Sequence, residues 1–282
     1  MIIGEQLRVE IQRNVAAALA EDVGSGDLTA HLIPDAVQAR GRVITRESAI
    51  LCGSAWFDAA FAALQPNALI TWHAVDGDRL EAGQAICDII ASARNLLTAE
   101  RTGLNFLQLL SATASLTRRY VDAVAGTGAD IVDTRKTLPG LRLAQKYAVQ
   151  VGGGVNHRIG LYDGILIKEN HIISAGGVRQ VLEIARRIAS GNAFIEIEVE
   201  SISQLREALD AGARMVLLDN MGLDDMREAV RINAGRAELE ASGSVSLASV
   251  REIAETGVDR ISIGGLTKNV QAIDLSLRHI EE

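Results

Sequence analysis

The chain has 282 residues, 48% hydrophobic and 23% charged, with a formal net charge of −8. That length supports one large or two modest domains with a substantial core, and the acidic balance excludes the broad basic face that nucleic-acid binding requires. No stretch approaches the roughly eighteen charge-free apolar residues of a membrane span. Two cysteines, Cys52 and Cys87, are too few for a disulfide framework, and the N-terminal stretch alternates charged with apolar residues, unlike a signal-peptide core. A cytoplasmic enzyme is the expectation.

Residues 5–20 repeat Leu7, Ile11, Val15 and Leu19 at helical spacing. The stretch 21–29 holds Gly24, Gly26 and three acids. A metal loop and a local turn both fit it, and the turn is the stronger reading because Asp favours turns through local hydrogen bonds. Alternation predicts strands over 39–53, 69–75 and 85–90, with a helix over 55–64. This mixture reads as a small α+β domain. A long helical pattern over 95–125 carries Leu96, Leu104, Leu107, Leu110 and Arg101. On pattern alone Arg101 is a solvated helix arginine.

Beyond Gly126 the rhythm changes. Six apolar runs, 130–133, 164–167, 194–199, 215–218, 237–239 and 260–263, end in polar residues and lead into helical patterns. The last four start about twenty residues apart, the period of a βα unit. With no dinucleotide-binding glycine fingerprint, such repeats favour a parallel barrel, and fewer than eight units make it incomplete. The expected architecture is α/β: an N-terminal α+β sandwich domain over 1–112 and an incomplete α/β barrel over 113–282. The last helix is expected to pack back on the first domain.

Residues 133–171 form a cationic island in this acidic chain: Arg135, Lys136, Arg142, Lys146, Arg158 and Lys168, joined by His157 and His171 and opposed by Asp133, Asp163 and Glu169. Charges at the ends of buried strands need partners, because desolvating an unpaired ion costs several kcal/mol. A polyanionic substrate and an internal salt-bridge network are both open at this point.

In a barrel the active site lies at the C-terminal strand ends. Here those ends carry Arg135 and Lys136, Lys168, Glu198 and Glu200, Asp219 and Asn220, Ser242-Gly243 and Gly264-Gly265. Alternation along 195–200 points Glu196, Glu198 and Glu200 to the barrel axis, and Glu238 and Glu240 alternate the same way. An acidic interior needs cations, from Arg135, Lys136 and Lys168 or from a divalent metal. The two glycine-rich ends suit a phosphate held by backbone N–H groups.

These residues carry a resemblance. EDVGSGDLT (21–29), ERTGLNFLQLLS (100–111), DTRKTLPGLR (133–142), KYAVQVGGGVNHRIGLYDGILIKENHI (146–172), EIEVE (196–200), LLDNM (217–221), LEASG (239–243) and ISIGGLTKNVQAIDLS (261–276) together resemble the quinolinate phosphoribosyltransferase family over nearly the full length. Two small departures are visible: Ser244 stands where many relatives have a second glycine, and Ala112 replaces a common glycine. The resemblance implies an open-faced sandwich on an incomplete barrel, paired head-to-tail as a homodimer or a higher oligomer. It implies transfer of phosphoribosyl from phosphoribosyl pyrophosphate to quinolinate with Mg²⁺ present. The products are nicotinate mononucleotide, pyrophosphate and CO₂, a step of NAD biosynthesis.

By the same resemblance Arg135, His157, Arg158 and Lys168 hold the two carboxylates of quinolinate, with Arg101 reaching in from the partner subunit. Lys136 and Lys168 contact phosphoribosyl pyrophosphate. Glu198 and Asp219 hold the ribose hydroxyls or the metal, and Ser242, Gly243, Gly264 and Gly265 take the 5′-phosphate. The expected catalytic set is Lys136, Lys168, Glu198 and Asp219. Two rivals stand beside it: a Schiff-base lyase using Lys168, and a non-catalytic anion-binding relative.

Overall fold

A computed structural model describes residues 3–191 and 193–280. Its elements run α1 (Glu5–Val23), β1 (Gln38–Thr45), β2 (Ala49–Ile50), α2 (Ser54–Leu64), β3 (Leu69–Trp72), β4 (Arg79–Leu80), β5 (Ala85–Ser92) and α3 (Ala93–Ala123). They continue with β6 (Asp130–Val132), α4 (Arg142–Val151), β7 (Gly164–Ile167), α5 (Glu169–Ala175), α6 (Val178–Ile188), β8 (Phe194–Val199) and α7 (Ile202–Asp210). The last are β9 (Met215–Asp219), α8 (Leu223–Asn233), β10 (Glu238–Ser242), α9 (Val250–Ala254), β11 (Arg260–Ser262), α10 (Gly265–Lys268) and β12 (Leu275–His279). The chain divides into two compact units, Met1–Arg118 with Leu138–Gly153 and Thr267–Glu282, and Arg119–Thr137 with Gly154–Leu266. Among the described residues no helix is long and apolar enough to cross a membrane.

The first unit is built on an antiparallel sheet ordered β12-β1-β5-β3. Val43, Ile86, Ile89 and Ala91 are buried in one cluster with Leu96, Leu104 and Leu107 of α3 and Phe57 and Phe61 of α2. The helical spacing seen in the sequence thus marks the stripe that α3 buries. The final element is a strand, where the sequence pattern suggested a helix: Gly41 to Thr45 pair with His279 to Leu275. Two-residue alternation over Leu275–His279 overrides the helical reading once an exposed sheet edge is available to pair with it. Of the 21–29 stretch, residues 21–23 complete α1 and residues 24–29 form a turn. The Asp27 carboxylate accepts from the Thr29 and Ala30 N–H groups and from the Thr98 hydroxyl at 2.9, 3.0 and 2.7 Å.

The second unit is a six-stranded parallel sheet ordered β6-β11-β10-β9-β8-β7. Its edge strands β6 and β7 are not paired with each other, which leaves the barrel incomplete. Ile197, Val199, Val216, Leu218, Ala241 and Ile261 are buried. The positions between them carry Glu196, Glu198, Leu217, Asp219, Glu240 and Ser242 on the opposite face. The axis-facing acids fall in a gradient rather than a row. Glu196 is fully buried, Glu198 is half-buried, and Glu200 lies exposed beyond the end of β8. Glu238 is likewise exposed, at the first position of β10, while Glu240 is buried.

Candidate active site

The upper layer of the site is set by loops leaving the strands. After β6, the Lys136 N–H is held by the Thr134 hydroxyl at 3.0 Å. Arg135 follows the strand with its Nε buried and without a hydrogen-bond partner. The segment between α4 and β7 joins the sheet through a parallel bridge from Val155 to Val132. Its turn is fixed by Asp163, whose carboxylate accepts from the Ile159 and Gly160 N–H groups at 2.7 and 2.9 Å. That turn presents Arg158, whose Nη1 donates to the Gly164 carbonyl at 3.0 Å. Burial and then the nearby Arg135 charge hold the Arg158 guanidinium below the usual arginine range. Two like charges kept together, one with an unused buried donor, describe a place prepared for an anion.

Lys168 lies between β7 and α5, and its Nζ lies 3.1 Å from the Glu198 carboxylate. The Lys168 N–H donates to the His171 ring at 2.9 Å, fixing the lysine's backbone. Glu198, Glu200 and Asp219 bring carboxylate oxygens within 4.8 Å of one another. Next to Asp219, the Asn220 amide donates to its carboxylate at 2.9 Å, and the Asn220 N–H donates to the Ser242 carbonyl at 2.9 Å. Asn220 and Ser244 both take a left-handed backbone, with φ of 53° and 43°. Gly243, at φ 111°, sits so tightly against the Asn220 side chain that an added Cβ would collide with it. The Gly264 Cα faces Lys136 in the same intimate way.

A lower layer is buried beneath these groups. His157 Nε2 lies 2.7 Å from Glu196 and 3.9 Å from Glu240. Arg260 Nε lies 3.3 Å from Glu240. The His157 N–H donates to the fully buried Asp133 carboxylate at 2.8 Å, and His157 Nδ1 accepts from the Arg158 N–H at 2.8 Å. Burial first, and Glu196 second, push the Glu240 carboxyl up to about 7.

The second unit therefore gathers Arg135, Lys136, Arg158, Lys168, Glu198, Asp219, Ser242, Gly243, Gly264 and Gly265 on its strand ends and strand-end loops. Arg101 is an exposed residue of α3 in the first unit. Arg142 and Lys146, counted in the cationic island, belong to α4 of the first unit. His157 Nε2 faces Glu196, and its Nδ1 accepts from the Arg158 N–H. Arg260 carries no role in the sequence pattern, and Asp133 enters it only as an acid opposing the cationic island. The deep acids are met by His157 and Arg260. The signal for Arg260 was present, since it opens an apolar run directly beside β10 in the repeat order.

The fold and its strand ends define an α/β scaffold of the enzyme type, with cations and carboxylates gathered at the carboxyl end of a parallel sheet. Comparison with known proteins narrows this. Residues 27–111 match the N-terminal domain and residues 113–278 the C-terminal domain of quinolinate phosphoribosyl transferase. The chain belongs to that family. A probable nicotinate-nucleotide pyrophosphorylase of Bacillus subtilis is 40% identical, across 91% of this chain and 89% of its own. A decarboxylating quinolinate phosphoribosyltransferase of Nicotiana tabacum is 37% identical, across 95% of this chain and 82% of its own. The solved nicotinate-nucleotide pyrophosphorylase of Francisella tularensis superposes with a TM-score of 0.94 at 45% identity, covering 97% of both chains.

Proposed function

We propose that the protein transfers the phosphoribosyl group of phosphoribosyl pyrophosphate to quinolinate and releases CO₂, forming nicotinate mononucleotide and pyrophosphate for NAD biosynthesis. The observation that carries this is the Arg135–Arg158 pair, with the Arg158 guanidinium held below its usual range by burial and then by Arg135, and a buried Arg135 Nε left unpartnered. Such a pair suits a planar dicarboxylate, because guanidinium forks match carboxylate geometry. Lys168 adds a third cation and Arg101 of the partner subunit a fourth, in a homodimer whose sites are shared.

On this reading quinolinate is held by its two carboxylates so that its ring nitrogen attacks C1 of the ribose. The C1–O bond to pyrophosphate breaks and the leaving group takes the electron pair. Positive charge builds on the ribose ring, and the Glu198 and Asp219 carboxylates stand where they favour it. Lys136 and Lys168 meet the departing pyrophosphate, and the Ser242-Gly243 and Gly264-Gly265 turns receive the 5′-phosphate. The C2–carboxylate bond then breaks, leaving its electron pair at C2 beside the cationic ring nitrogen, and C2 takes up a proton. His157 enters this reading as a support for Arg158.

Mg²⁺ fits the oxygen donors Glu198, Glu200 and Asp219, whose hard carboxylates match its preference. Bound there, it would neutralise pyrophosphate charge. The Lys168–Glu198 ion pair disfavours a Schiff-base lyase, which needs an uncharged amine. The deciding experiment supplies quinolinate labelled in its C2 carboxyl, phosphoribosyl pyrophosphate and Mg²⁺. Label should leave as CO₂ in step with nucleotide formation; binding of both compounds without label release would defeat the reading in favour of an anion-binding protein.

A further inference from the structure

The buried layer of His157, Glu196, Glu240 and Arg260 has no part in the transfer chemistry above. Its hydrogen bonds fix a tautomer. The Arg158 N–H only donates, so His157 Nδ1 accepts and carries no proton. The ring proton then stands on Nε2, toward Glu196 at 2.7 Å. With both glutamates ionised, the charge of Arg260 would face two buried carboxylates. Glu196 Oε1 and both Glu240 oxygens have no hydrogen-bond partner. The ligand atoms of His157, Glu196 and Glu240 lie within 4.8 Å of one another, and burial first and the Glu196 charge second favour a proton on Glu240.

That proton has two possible homes. On His157 Nδ1 it would break the bond from the Arg158 N–H. On Glu240 it leaves that bond intact. The groups facing Glu240 are Glu196 from β8, His157 from the segment before β7, and Arg260 and Ser262 from β11. At the paired position β9 offers the aliphatic Leu217. Glu196 already accepts from the imidazole at 2.7 Å, whereas Nε2 is 3.9 Å from Glu240. We propose that Glu240 is kept as the neutral acid and acts as a positioning residue: its proton leaves His157 Nδ1 open to the Arg158 N–H and so holds Arg158 at the anion site.

The first test does not depend on the proposed function. With ¹⁵N-labelled histidine, the His157 ring signals, assigned by their loss in His157→Gln, should show the neutral Nε2–H tautomer at pH 6. They should show the same in Glu240→Gln, which mimics the neutral acid. An imidazolium pattern in the wild type that turns neutral in Glu240→Gln would put the proton on His157 and overturn the proposal. The second test rests on the proposed reaction. In the wild type, KM for quinolinate should rise several-fold as pH climbs through about 7, when a buried negative charge appears beneath the anion. Glu240→Gln should lose that rise, and a wild-type KM–pH curve retained in Glu240→Gln would overturn the proposal. If quinolinate is not turned over, the ring signals still decide.

Discussion

Lys136 lies across Gly264, with its Cδ 2.9 Å from the place a Cβ would occupy on that glycine. Gly243 meets Asn220 in a comparable way, but there the obstacle includes the Asn220 Cα at 3.1 Å and the backbone is left-handed. The two glycines predict different outcomes. Gly264→Ala displaces a flexible side chain from a tolerable backbone, so stability should change by less than about 1 kcal/mol. Activity should fall on the order of tenfold to a hundredfold as the ammonium moves. Gly243→Ala should also destabilise, by about 2 kcal/mol, through its positive φ. That corresponds to roughly 4–8 °C in thermal midpoint for a unit of this size. Calorimetry beside a kinetic assay separates them; equal midpoints for the two variants would count against this account.

Glu198 and Asp219 carry the next prediction. Glu198→Gln and Asp219→Asn keep shape and remove charge. If the carboxylates serve the ribosyl transition state or its metal, kcat should fall about a hundredfold or more while the fold survives. Unchanged turnover at saturating Mg²⁺ in either variant would return that residue to a structural ion-pair role, which for Glu198 means the bond to Lys168.

Glu240 makes stability depend on pH. Its folded-state proton affinity is raised from the ordinary 4.5 to about 7, so the folded chain holds a proton that the unfolded chain releases. That stabilisation is fully present below about 4.5 and is lost progressively as pH rises through about 7. Glu240→Gln has no such proton. The thermal midpoint of the variant relative to the wild type should therefore climb between pH 5 and 7 and level off above. Parallel curves across that range would show an ordinary, ionised Glu240.

The sequence exposed the strands more readily than their depth. The runs 164–167 and 194–199 coincide with β7 and β8, the first nearly continuous in aliphatics and the second alternating them with glutamates, both patterns of a strand covered by helices. Alternation also showed which residues turn from the helices. It did not show that Glu196 would be fully buried and Glu200 exposed, since depth along a strand depends on where the sheet ends. His157 stood in a basic stretch and read as a ligand donor. Its partners Glu196 and Glu240 lie 39 and 83 positions later, and no local pattern links them. The 275–279 strand was missed because its partner Gly41–Thr45 is more than two hundred residues away.

Substrate choice follows from the pairing of donors. Nicotinate, with a single carboxylate, would leave Arg135 or Arg158 without its anion. An unsatisfied buried charged donor costs on the order of 1–3 kcal/mol. Quinolinate should therefore be preferred by roughly tenfold to a hundredfold in kcat/KM, each 1.4 kcal/mol being about tenfold. Equal values for the two acids would mean that the arginine pair does not read the second carboxylate.

Arg101 tests the shared site. It is exposed on α3 of the first unit, and the strand-end cations belong to the second. In a symmetric dimer each site would borrow this residue from its neighbour, and the borrowing would be reciprocal. Arg101→Ala and Lys168→Ala should each be nearly inactive alone. In a mixed dimer one site lacks both residues and the other keeps both. After random reassortment roughly half the dimers are mixed, so about a quarter of all sites should be intact. Unfolding and refolding the two inactive proteins together should restore activity to about that fraction. Tagging each variant differently and isolating the doubly tagged dimers raises the expectation to about half. If those isolated mixed dimers remain inactive, Arg101 does not complete the neighbouring site.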